Sequence, residues 1–501
     1  MKAQKEIPED ESKYDIITDR TVKGGFWVFL IRIADEIFYL VKLLILARIL
    51  TPTDFGLVGV ATLTLSILNN FSRTGFERAI VQKKGDIKPY LDSAWTVTII
   101  RGIAIFTILF FCAPLVSYLF HAPESMPIIQ VIGLTTVLAS FTNMGFFYFD
   151  RELEFKKRFI YQTSGTIVDF IVTIISILLF QNVWALITGM IAGNAAKLVV
   201  SYIIHPYRPR LSSDFHKAKE LWGFGQWIFF STILAFFIQE SDDIFVGIIL
   251  GVTALGFYQM AYKISNLPAT EITEIVNRVT FSAYAKLQDE RAKLSEGYLK
   301  VLKFTAFSSF LIGSLIFVLA PDFTRIFLGE KWMPMVLAMQ ALVLWGITRS
   351  IGSSTISLFE GIGKPRVISK MQIIQIILMA ILIYPLTISY DIFGTSMSVV
   401  FSALIVNLGY YFLVIRELNC TKWSFFKLII FPLISSITMI LTVIIIETNW
   451  ILKIGIIEFF IIGGIGILVY ICIIAIFEKI FDYKIIREGI SVAKKLITQK
   501  I

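Results

Sequence analysis

Fourteen stretches of about 20 mostly apolar residues follow one another along this sequence, with short polar segments between them. An α-helix rises about 1.5 Å per residue, so such a stretch spans the ~30 Å hydrocarbon core of a bilayer. Hydrophobic residues make up 56% of the 501 residues and charged residues only 17%, which excludes an ordinary water-soluble protein. The sequence therefore predicts an all-α polytopic membrane protein with about 14 transmembrane helices.

Each predicted helix is long enough to cross a bilayer once. We predict the helices at residues 24–49, 55–72, 95–120, 128–149, 159–180, 183–204, 223–250, 254–284, 301–320, 334–358, 367–388, 392–415, 424–446 and 454–477. Because the number of crossings is even, both ends of the chain are expected on the same side of the membrane.

Lysine and arginine are concentrated in every second connection between the predicted helices. One set of connections, counted together with Lys370 and Lys427 at the start of the helices that follow, carries 23 of these residues, and the alternate set carries three, Arg325, Lys331 and Lys453. Positively charged loops are retained in the cytoplasm, so we predict a multi-pass protein of the cytoplasmic (inner) cell membrane with both termini in the cytoplasm. The formal net charge of +9 then faces anionic lipid head groups, which we expect as partners, and nucleic acid is not needed to explain it.

The two ends of the chain are polar. Residues 1–22 are rich in charge and lack the layout of a cleavable secretory signal, so we predict a cytoplasmic N-terminal segment. Residues 478–501 place apolar side chains at helical spacing among lysines and arginines, which predicts a basic amphipathic helix at the membrane surface. A frayed basic tail is the alternative.

Two predicted outer turns resemble each other at an offset of 200 residues. Leu50, Gly56 and Ala61 recur as Leu250, Gly256 and Ala261, although chance similarity between apolar segments is an alternative. A repeat spaced by six helices indicates two six-helix lobes. We predict an N-lobe at 23–204, a cytoplasmic linker at 205–222, a C-lobe at 223–416 and two further helices within 417–477.

The first of these turns, Leu-Thr-Pro-Thr-Asp-Phe-Gly at residues 50–56, resembles the corresponding turn of Wzx-type polysaccharide flippases. Similar patterns at 250–258, 327–332 and 361–364 fall where that family has them. The resemblance covers nearly the whole chain. It implies the fold of the multidrug/oligosaccharidyl-lipid/polysaccharide exporter superfamily, with two lobes around a central cavity.

The same resemblance implies a cargo. Members of that family move polyprenyl-diphosphate-linked oligosaccharide from the cytoplasmic to the outer leaflet, by alternating access, for cell-surface polysaccharides such as lipopolysaccharide. Lipid-linked oligosaccharide is therefore the expected partner, and polysaccharide polymerase and glycosyltransferases are expected to act beside it. The resemblance implies no cofactor.

Charged side chains interrupt the first predicted helix. At 100° per residue, four charges and a tyrosine share one stripe of about 120°: Arg32, Asp35, Glu36, Tyr39 and Lys42. Each charge costs about 2.5–3.5 kcal/mol at the centre of a bilayer, so the stripe is expected to face away from lipid. We predict that Arg32 and Lys42 bind the diphosphate or anionic sugars of the cargo. The alternative is charge pairing, of Arg32 with Glu36 and of Lys42 with Asp242.

Acidic side chains appear in the equivalent helix of the second repeat, as Asp242 and Asp243. Buried neighbouring acids raise each other's pKa, so four carboxylates are candidates for coupling transport to H⁺ or Na⁺: Asp35, Glu36, Asp242 and Asp243. In the tenth helix Arg349 lacks an obvious partner in the sequence, which favours cargo contact. Asp169 and Lys197, in the fifth and sixth helices, are expected to pair with each other for structural reasons.

Other function classes fit the sequence less well. The three cysteines and three histidines are scattered, so neither a metal site nor a catalytic histidine is predicted. Residues 361–365 lack the spacing of a phosphate-binding loop, which disfavours an ATP-driven pump. A polysaccharide polymerase or membrane glycosyltransferase should have larger outer loops. A peptidoglycan-precursor flippase or a drug antiporter would share the expected fold, and both stay open as alternatives.

Overall fold

The structure of the protein is a computed structural model. It describes residues 30–72, 88–151, 154–212, 214, 233–266, 280–281, 283–449, 455–481, 483, 485 and 487–488. The predicted N-terminal segment 1–22, part of the predicted linker 205–222 and the end of the tail at 489–501 lie outside these residues. The chain divides into two compact units, residues 1–256 and 257–501.

The first unit is built from helices. In chain order these are α1 (30–49), α2 (Pro52–Phe71), α3 (Lys88–Leu119), α4 (Ser125–Ile132), α5 (Leu134–Ser140), α6 (Phe147–Arg151), α7 (Phe155–Phe180), α8 (Trp184–Ile204) and α9 (233–249). A single 3₁₀ turn, Met144–Phe146, precedes α6. Helix α10 (Val252–Ser265) follows α9 and crosses the division between the two units.

The second unit is also helical. It contains α11 (Arg291–Phe323), a π-helical turn (Thr324–Leu328), a 3₁₀ segment (Glu330–Met335), α12 (Val336–Gly361), α13 (Pro365–Leu418), α14 (Lys422–Asn449) and α15 (Ile456–Phe481). A large apolar cluster forms much of its core, and two large side chains of α11, Tyr298 and Leu302, are fully buried there. The tail also contributes to this core, because Tyr483 and Ile485 are buried in it. The described part of the tail therefore packs against protein.

Nine helices among the described residues are long and apolar enough to cross a membrane, and no strand occurs in that part of the chain. The all-α polytopic class is confirmed. The exact number of fourteen crossings stays a prediction. Helix α13 contains two predicted helices in one run, and its backbone leaves the helical region at Tyr390 and Asp391, where Asp391 has φ +51°. That break lies at the predicted connection 389–391.

One predicted helix is not continuous. The sequence predicted a single helix over 128–149, but the chain forms α4 and α5 with a break at Gly133 and then leaves the helical conformation. Asn143 has extended backbone dihedrals, and its side chain accepts a hydrogen bond from the Gly145 amide at 2.8 Å. An asparagine side chain that bonds the nearby backbone in this way competes with the helix, which explains why the helix does not continue through Asn143.

The turn before α2 follows from its residue types. Thr51 is the N-cap, and its hydroxyl accepts from the Asp54 amide at 3.2 Å while the Asp54 carboxylate accepts from the Thr51 amide at 2.8 Å. Pro52 occupies the first helical position, where its missing N–H costs nothing. This capping box satisfies two backbone donors that would otherwise be orphaned at the helix start.

The two similar turns, at residues 50–56 and 250–256, contact each other within the first unit. A Cβ added at Gly56 would lie 1.8 Å from the Val252 carbonyl oxygen, and one at Gly256 would lie 1.9 Å from that of Pro52. The hydroxyls of Thr53 and Thr253 are 2.8 Å apart. Since residues offset by 200 make reciprocal contacts, the repeat has a local two-fold arrangement at this point. Both glycines are required because no side chain fits between the backbones.

Candidate functional site

Helix α1 has one apolar face and one polar face. Ile33, Ile37 and Val41 are exposed, with Ile37 at 55%, as expected for side chains that face lipid. These positions lie one turn apart along the helix, opposite the polar stripe that runs from Arg32 to Lys42. The charged residues of α1 are therefore directed away from the exposed face, and toward α7.

An ion pair links the polar face of α1 to α7. The Lys42 ammonium donates to the Asp169 carboxylate, and the two side chains are only 14% and 21% exposed. The Thr173 hydroxyl also donates to Asp169, at 3.3 Å. Nearer the start of α1, the Asp35 carboxylate accepts from the Thr166 hydroxyl at 2.6 Å. Both α1 groups thus have partners on a single face of α7.

Helix α8 adds a second cation to this arrangement. A Cβ at Gly165 of α7 would lie 2.4 Å from Cε and 2.5 Å from Cγ of Lys197, so the lysine stem crosses α7 at that glycine. Gly189 and Gly193 of α8 approach Asp169 equally closely, with added Cβ atoms 2.7 and 2.8 Å from its side chain. Small residues at both helices let the backbones approach.

Two positive and two negative side chains are brought together in this way. The Lys197 ammonium interacts electrostatically with the carboxylates of both Asp35 and Asp169, and Asp169 is paired with Lys42. We call Asp35, Lys42, Asp169 and Lys197 the charge cluster. Two carboxylates and two ammonium groups share one region inside the first unit. Protonation of either carboxylate, or arrival of an anion, would change its balance of charge.

Two pairings considered from the sequence differ from the ion pair in the structure. Pairing of Lys42 with Asp242 was the alternative to cargo binding, and the ion pair of Lys42 is with Asp169. Asp169, which was expected to pair with Lys197, is ion-paired with Lys42 and also interacts electrostatically with Lys197. The reason is the packing of α1 on α7, which also brings the rings of Phe38 and Phe170 to a centroid distance of 5.3 Å. The positions of helices along the sequence carry no information on which helices touch.

The other predicted residues of the first unit occupy buried or half-buried positions. Asp242 and Asp243 of α9 are 1% and 7% exposed. Arg32 and Glu36 are half-buried, and one buried carboxylate oxygen of Glu36 has no hydrogen-bond partner among the described residues. All four groups thus lie largely out of lipid, as the cost of a charge in hydrocarbon requires.

Arg349, in α12 of the second unit, has a partner that the sequence did not reveal. Its guanidinium lies over the ring of Trp345, one turn earlier, with 5.1 Å between the guanidinium carbon and the ring centroid. Trp345 is itself buried and lies 5.0 Å from the ring of Tyr262. This cation–π contact orients the guanidinium and offsets part of its desolvation.

The sequence analysis did not include three ionisable residues among the candidate site residues, Asp169, Lys197 and Arg101 of α3, although the structure gives each of them buried polar partners. Arg101 lies inside an apolar run, and its guanidinium bonds to Ser72 and Asn69 near the end of α2. Each of the three is an ionisable residue within a predicted transmembrane helix, and the same signal identified the charged residues of α1.

Comparisons with known proteins agree with the helical architecture. A model of the family described as "Polysaccharide biosynthesis protein" matches residues 45–337. The chain is 26% identical over 341 residues to the lipopolysaccharide biosynthesis protein WzxC of Escherichia coli (strain K12), covering 67% of this chain and 69% of that protein. It is 22% identical to the teichuronic acid biosynthesis protein TuaB of Bacillus subtilis (strain 168), covering 66% and 69%.

Solved structures indicate the same fold. The structure of lipid II flippase MurJ in an inward closed conformation superposes with a TM-score of 0.71 at 17% identity, covering 91% of this chain and 99% of that one. An inward-facing multidrug resistance MATE family transporter of the MOP superfamily superposes with a TM-score of 0.59 at 18% identity, covering 77% and 96%. These two structures show that the chain has the same fold. Because the family model matches more than half of the residues of this chain, the chain belongs to the polysaccharide biosynthesis protein family.

Proposed function

We propose that this protein is a flippase that moves lipid-linked oligosaccharide from the cytoplasmic to the outer leaflet of the cytoplasmic membrane. The observation that carries the proposal is the family match over residues 45–337. It is supported by relatives named for the biosynthesis of lipopolysaccharide and teichuronic acid, and by one in Rhizobium meliloti (strain 1021) named a succinoglycan biosynthesis transport protein. A fold of the MurJ and MATE kind supports transport rather than catalysis.

We further propose that the charge cluster takes part in the transport cycle. Lys42 is held by Asp169, so a cargo phosphate would compete with that carboxylate for the ammonium group. Protonation of Asp169 would weaken its hold on the ammonium, and the phosphate would then replace the carboxylate as the partner. This sequence of events couples uptake of H⁺ to cargo binding within one group of residues. Na⁺ held by Asp35 and Asp169 would act in the same way.

The remaining predicted residues are assigned by analogy of charge. Arg32 and Arg349 are proposed to contact anionic parts of the cargo, since guanidinium groups bind phosphate and carboxylate in a bidentate manner. Glu36, Asp242 and Asp243 are proposed as further carboxylates that take up the coupling ion. Both termini are proposed to lie in the cytoplasm, where the basic loops contact anionic lipid and where glycosyltransferases assemble the cargo.

The cargo is tested by deleting the gene and locating the lipid-linked oligosaccharide. We expect the intermediate to accumulate on the cytoplasmic side, open to a glycosidase in inside-out vesicles and protected in right-side-out vesicles. Complementation with the Thr107→Val protein serves as a control, because Thr107 is an exposed residue of α3 outside the charge cluster. Loss of surface polymer without a trapped intermediate would support a polymerase or glycosyltransferase. Accumulation of the peptidoglycan precursor would point to a different cargo.

Coupling is tested separately from cargo. In vesicles that flip the oligosaccharide, the H⁺ gradient and the Na⁺ gradient are collapsed one at a time with specific ionophores. Flux that falls with one of them identifies the ion. Flux that is unchanged in both arms would contradict the coupling role of the charge cluster and leave the cargo assignment intact.

A further inference from the structure

An apolar groove of about 530 Å³ opens on the surface of the first unit, between the end of α5 and the last two turns of α8. Its lining consists of Phe141, Leu198, Val199, Tyr202 and Ile203. Three of these side chains, Phe141, Val199 and Ile203, are 37%, 58% and 75% exposed. The groove lies within about 9 Å of the end of α8 along the helix axis. It is therefore close to the membrane surface at which the linker 205–222 begins.

The walls of the groove are fixed by contacts with neighbouring helices. The Tyr202 hydroxyl donates to the Phe141 carbonyl at 3.0 Å, which joins α8 to the end of α5. The ring of Phe141 in turn meets the ring of Trp95 of α3 edge to face, with 6.2 Å between the centroids. Since both walls are held in this way, the groove exists before any ligand enters it, and little ordering of side chains is needed on binding.

The groove and the charge cluster lie on different sides of α8. Val199 comes two residues after Lys197, so at 100° per residue the two side chains point to nearly opposite sides of the helix. Lys197 is directed to Gly165 of α7 and to the carboxylates of the charge cluster. A ligand in the groove would therefore not reach the groups proposed to act on the cargo. This separation favours a lipid of the surrounding membrane over cargo in transit.

A guanidinium lies at the end of the groove nearest the linker. The guanidinium carbon of Arg208 is 5.8 Å from the centroid of the Tyr202 ring, which is also part of the groove. One terminal nitrogen, Nη1, donates to the carbonyls of His205 and Tyr207 at 2.7 and 3.0 Å. Nε and Nη2 have no hydrogen-bond partner among the residues that the structure describes. Two neighbouring N–H groups of this kind suit two oxygens of one phosphate.

The segment that carries Arg208 is attached to α3. The Tyr207 hydroxyl donates to the Asp92 carboxylate, and the main-chain amide of Arg210 donates to the same carboxylate at 2.9 Å. These bonds precede and follow Arg208 in the chain, so they hold its backbone in one place. The guanidinium is thereby positioned beside the groove, where it can bind a phosphate at a small cost in conformational entropy.

The charges beside the groove select the head group. Arg208 and Arg210 are both exposed, and the carboxylate bonded to their segment, Asp92, already accepts two hydrogen bonds. A zwitterionic lipid brings an ammonium group that these two cations repel, whereas an anionic lipid brings its phosphate without one. Each Lys or Arg near the membrane surface favours an anionic lipid by a factor of about five.

We propose that this groove binds one anionic glycerophospholipid of the cytoplasmic leaflet. Part of one acyl chain lies against Val199 and Ile203, and the phosphate accepts from Nε and Nη2 of Arg208. The inference rests on the cytoplasmic placement of the linker given under the proposed function, and it assigns the expected contact with anionic lipid to one site. The bound lipid fastens the start of the linker to the membrane surface.

The test uses photoreactive lipids in nanodiscs that contain the purified full chain. The probes are phosphatidylglycerol and phosphatidylcholine with identical acyl chains that carry a diazirine, and the captured residues are identified by peptide mass spectrometry. Capture at residues 198–203 is compared with capture at Ile381, a 63% exposed residue of α13 that serves as the reference in the same sample.

Three variants separate the contributions. Arg208→Gln removes the donors for the phosphate. Val199→Trp fills the groove and leaves Arg208 in place, which keeps the proposal testable if loss of the Arg208 bonds to the end of α8 prevents folding. Arg366→Gln is the matched control, because Arg366 is an exposed arginine at the start of α13, away from any residue of the groove.

We expect the ratio of phosphatidylglycerol to phosphatidylcholine captured at 198–203 to exceed the ratio at Ile381 about fivefold. The excess should disappear in Arg208→Gln and in Val199→Trp and stay unchanged in Arg366→Gln. Equal ratios at the two places in the wild type, or an excess that persists in both groove variants, would overturn the proposal. Preferential capture of a photoreactive lipid-linked oligosaccharide at 198–203 would also overturn it, because the groove would then serve the cargo.

Flipping of lipid-linked oligosaccharide by the same purified protein in vesicles distinguishes this site from the proposed function. Flipping without the phosphatidylglycerol excess removes the lipid site alone. The excess without flipping supports the lipid site and removes the proposed function alone.

Discussion

Removing one partner of the Lys42–Asp169 ion pair should destabilise the first unit, and removing both charges together should largely restore it. Lys42→Gln leaves Asp169 without its ion-pair partner but still beside Lys197, whereas Asp169→Asn leaves two ammonium groups facing only Asp35. The second change should therefore be the more damaging. The two side chains keep 14% and 21% exposure, so the full cost of an unpaired charge in hydrocarbon does not apply.

The magnitude follows from that partial exposure. A lone charge at the centre of a bilayer costs about 2.5–3.5 kcal/mol, and breaking a fully buried pair costs about 3–5 kcal/mol. With residual solvation and Lys197 nearby, we expect about 1–2 kcal/mol for Lys42→Gln and about 2–3 kcal/mol for Asp169→Asn. The double variant should lie within about 1 kcal/mol of the wild type, because replacing a buried pair by neutral groups is often nearly neutral.

Thermal unfolding in detergent, followed by size-exclusion chromatography, measures the order of stability. Lys300→Gln is the matched control, because the Lys300–Glu296 pair of α11 is 60% and 67% exposed and exposed pairs contribute about 0.2–1 kcal/mol. The reasoning would be refuted if the two single variants were as stable as this control, or if Lys42→Gln lowered the stability more than Asp169→Asn. Transport by a stable double variant then separates the roles: wild-type flux means that the charges only neutralise each other, and lost flux means that the cargo or the coupling ion uses them.

Two further changes test the packing of each unit. Gly56→Ala should lower the free energy of unfolding by about 1–3 kcal/mol, because the new Cβ would lie 1.8 Å from the Val252 carbonyl oxygen. Gly464→Ala is the control and should leave thermal stability unchanged, because no atom lies within 4 Å of its added Cβ. Equal stability of the two variants would contradict the close approach of the turns at 50–56 and 250–256. Glu488→Gln should increase the rate of limited proteolysis of the tail several-fold, because Glu488 contacts the buried ammonium of Lys303 at 2.6 Å. Glu290→Gln, which breaks an exposed ion pair with Lys293, is the control. Identical cleavage rates in the two variants would show that the Lys303–Glu488 ion pair does not hold the tail.

Much of the fold could be predicted from local sequence. Apolar runs of about 20 residues marked the helices, and the turn at 50–56 was identified from its recurrence 200 residues later and from its resemblance to a family motif. The structure adds that a Thr51–Asp54 capping box and Pro52 form this turn through neighbouring residues. The predicted helix at 128–149 was wrong near its end, and the cause there is also local. The helix does not continue through Asn143 because its side chain bonds the adjacent backbone, and a hydropathy pattern does not reveal such a bond.

Local sequence patterns establish that this is an all-α membrane protein and that the charges of α1 share one face, because hydropathy and helical period depend only on residues close in the chain. The partner of each charge, in contrast, depends on how the helices pack. Lys42 pairs with Asp169 because α1 packs on α7, and Lys197 reaches the same region because Gly165 leaves room for its stem. Likewise, Arg101 appears in the sequence as one charge in an apolar run, and it lines a cavity because residues of four helices meet there. Contacts between distant segments depend on shape and packing, which no local pattern encodes.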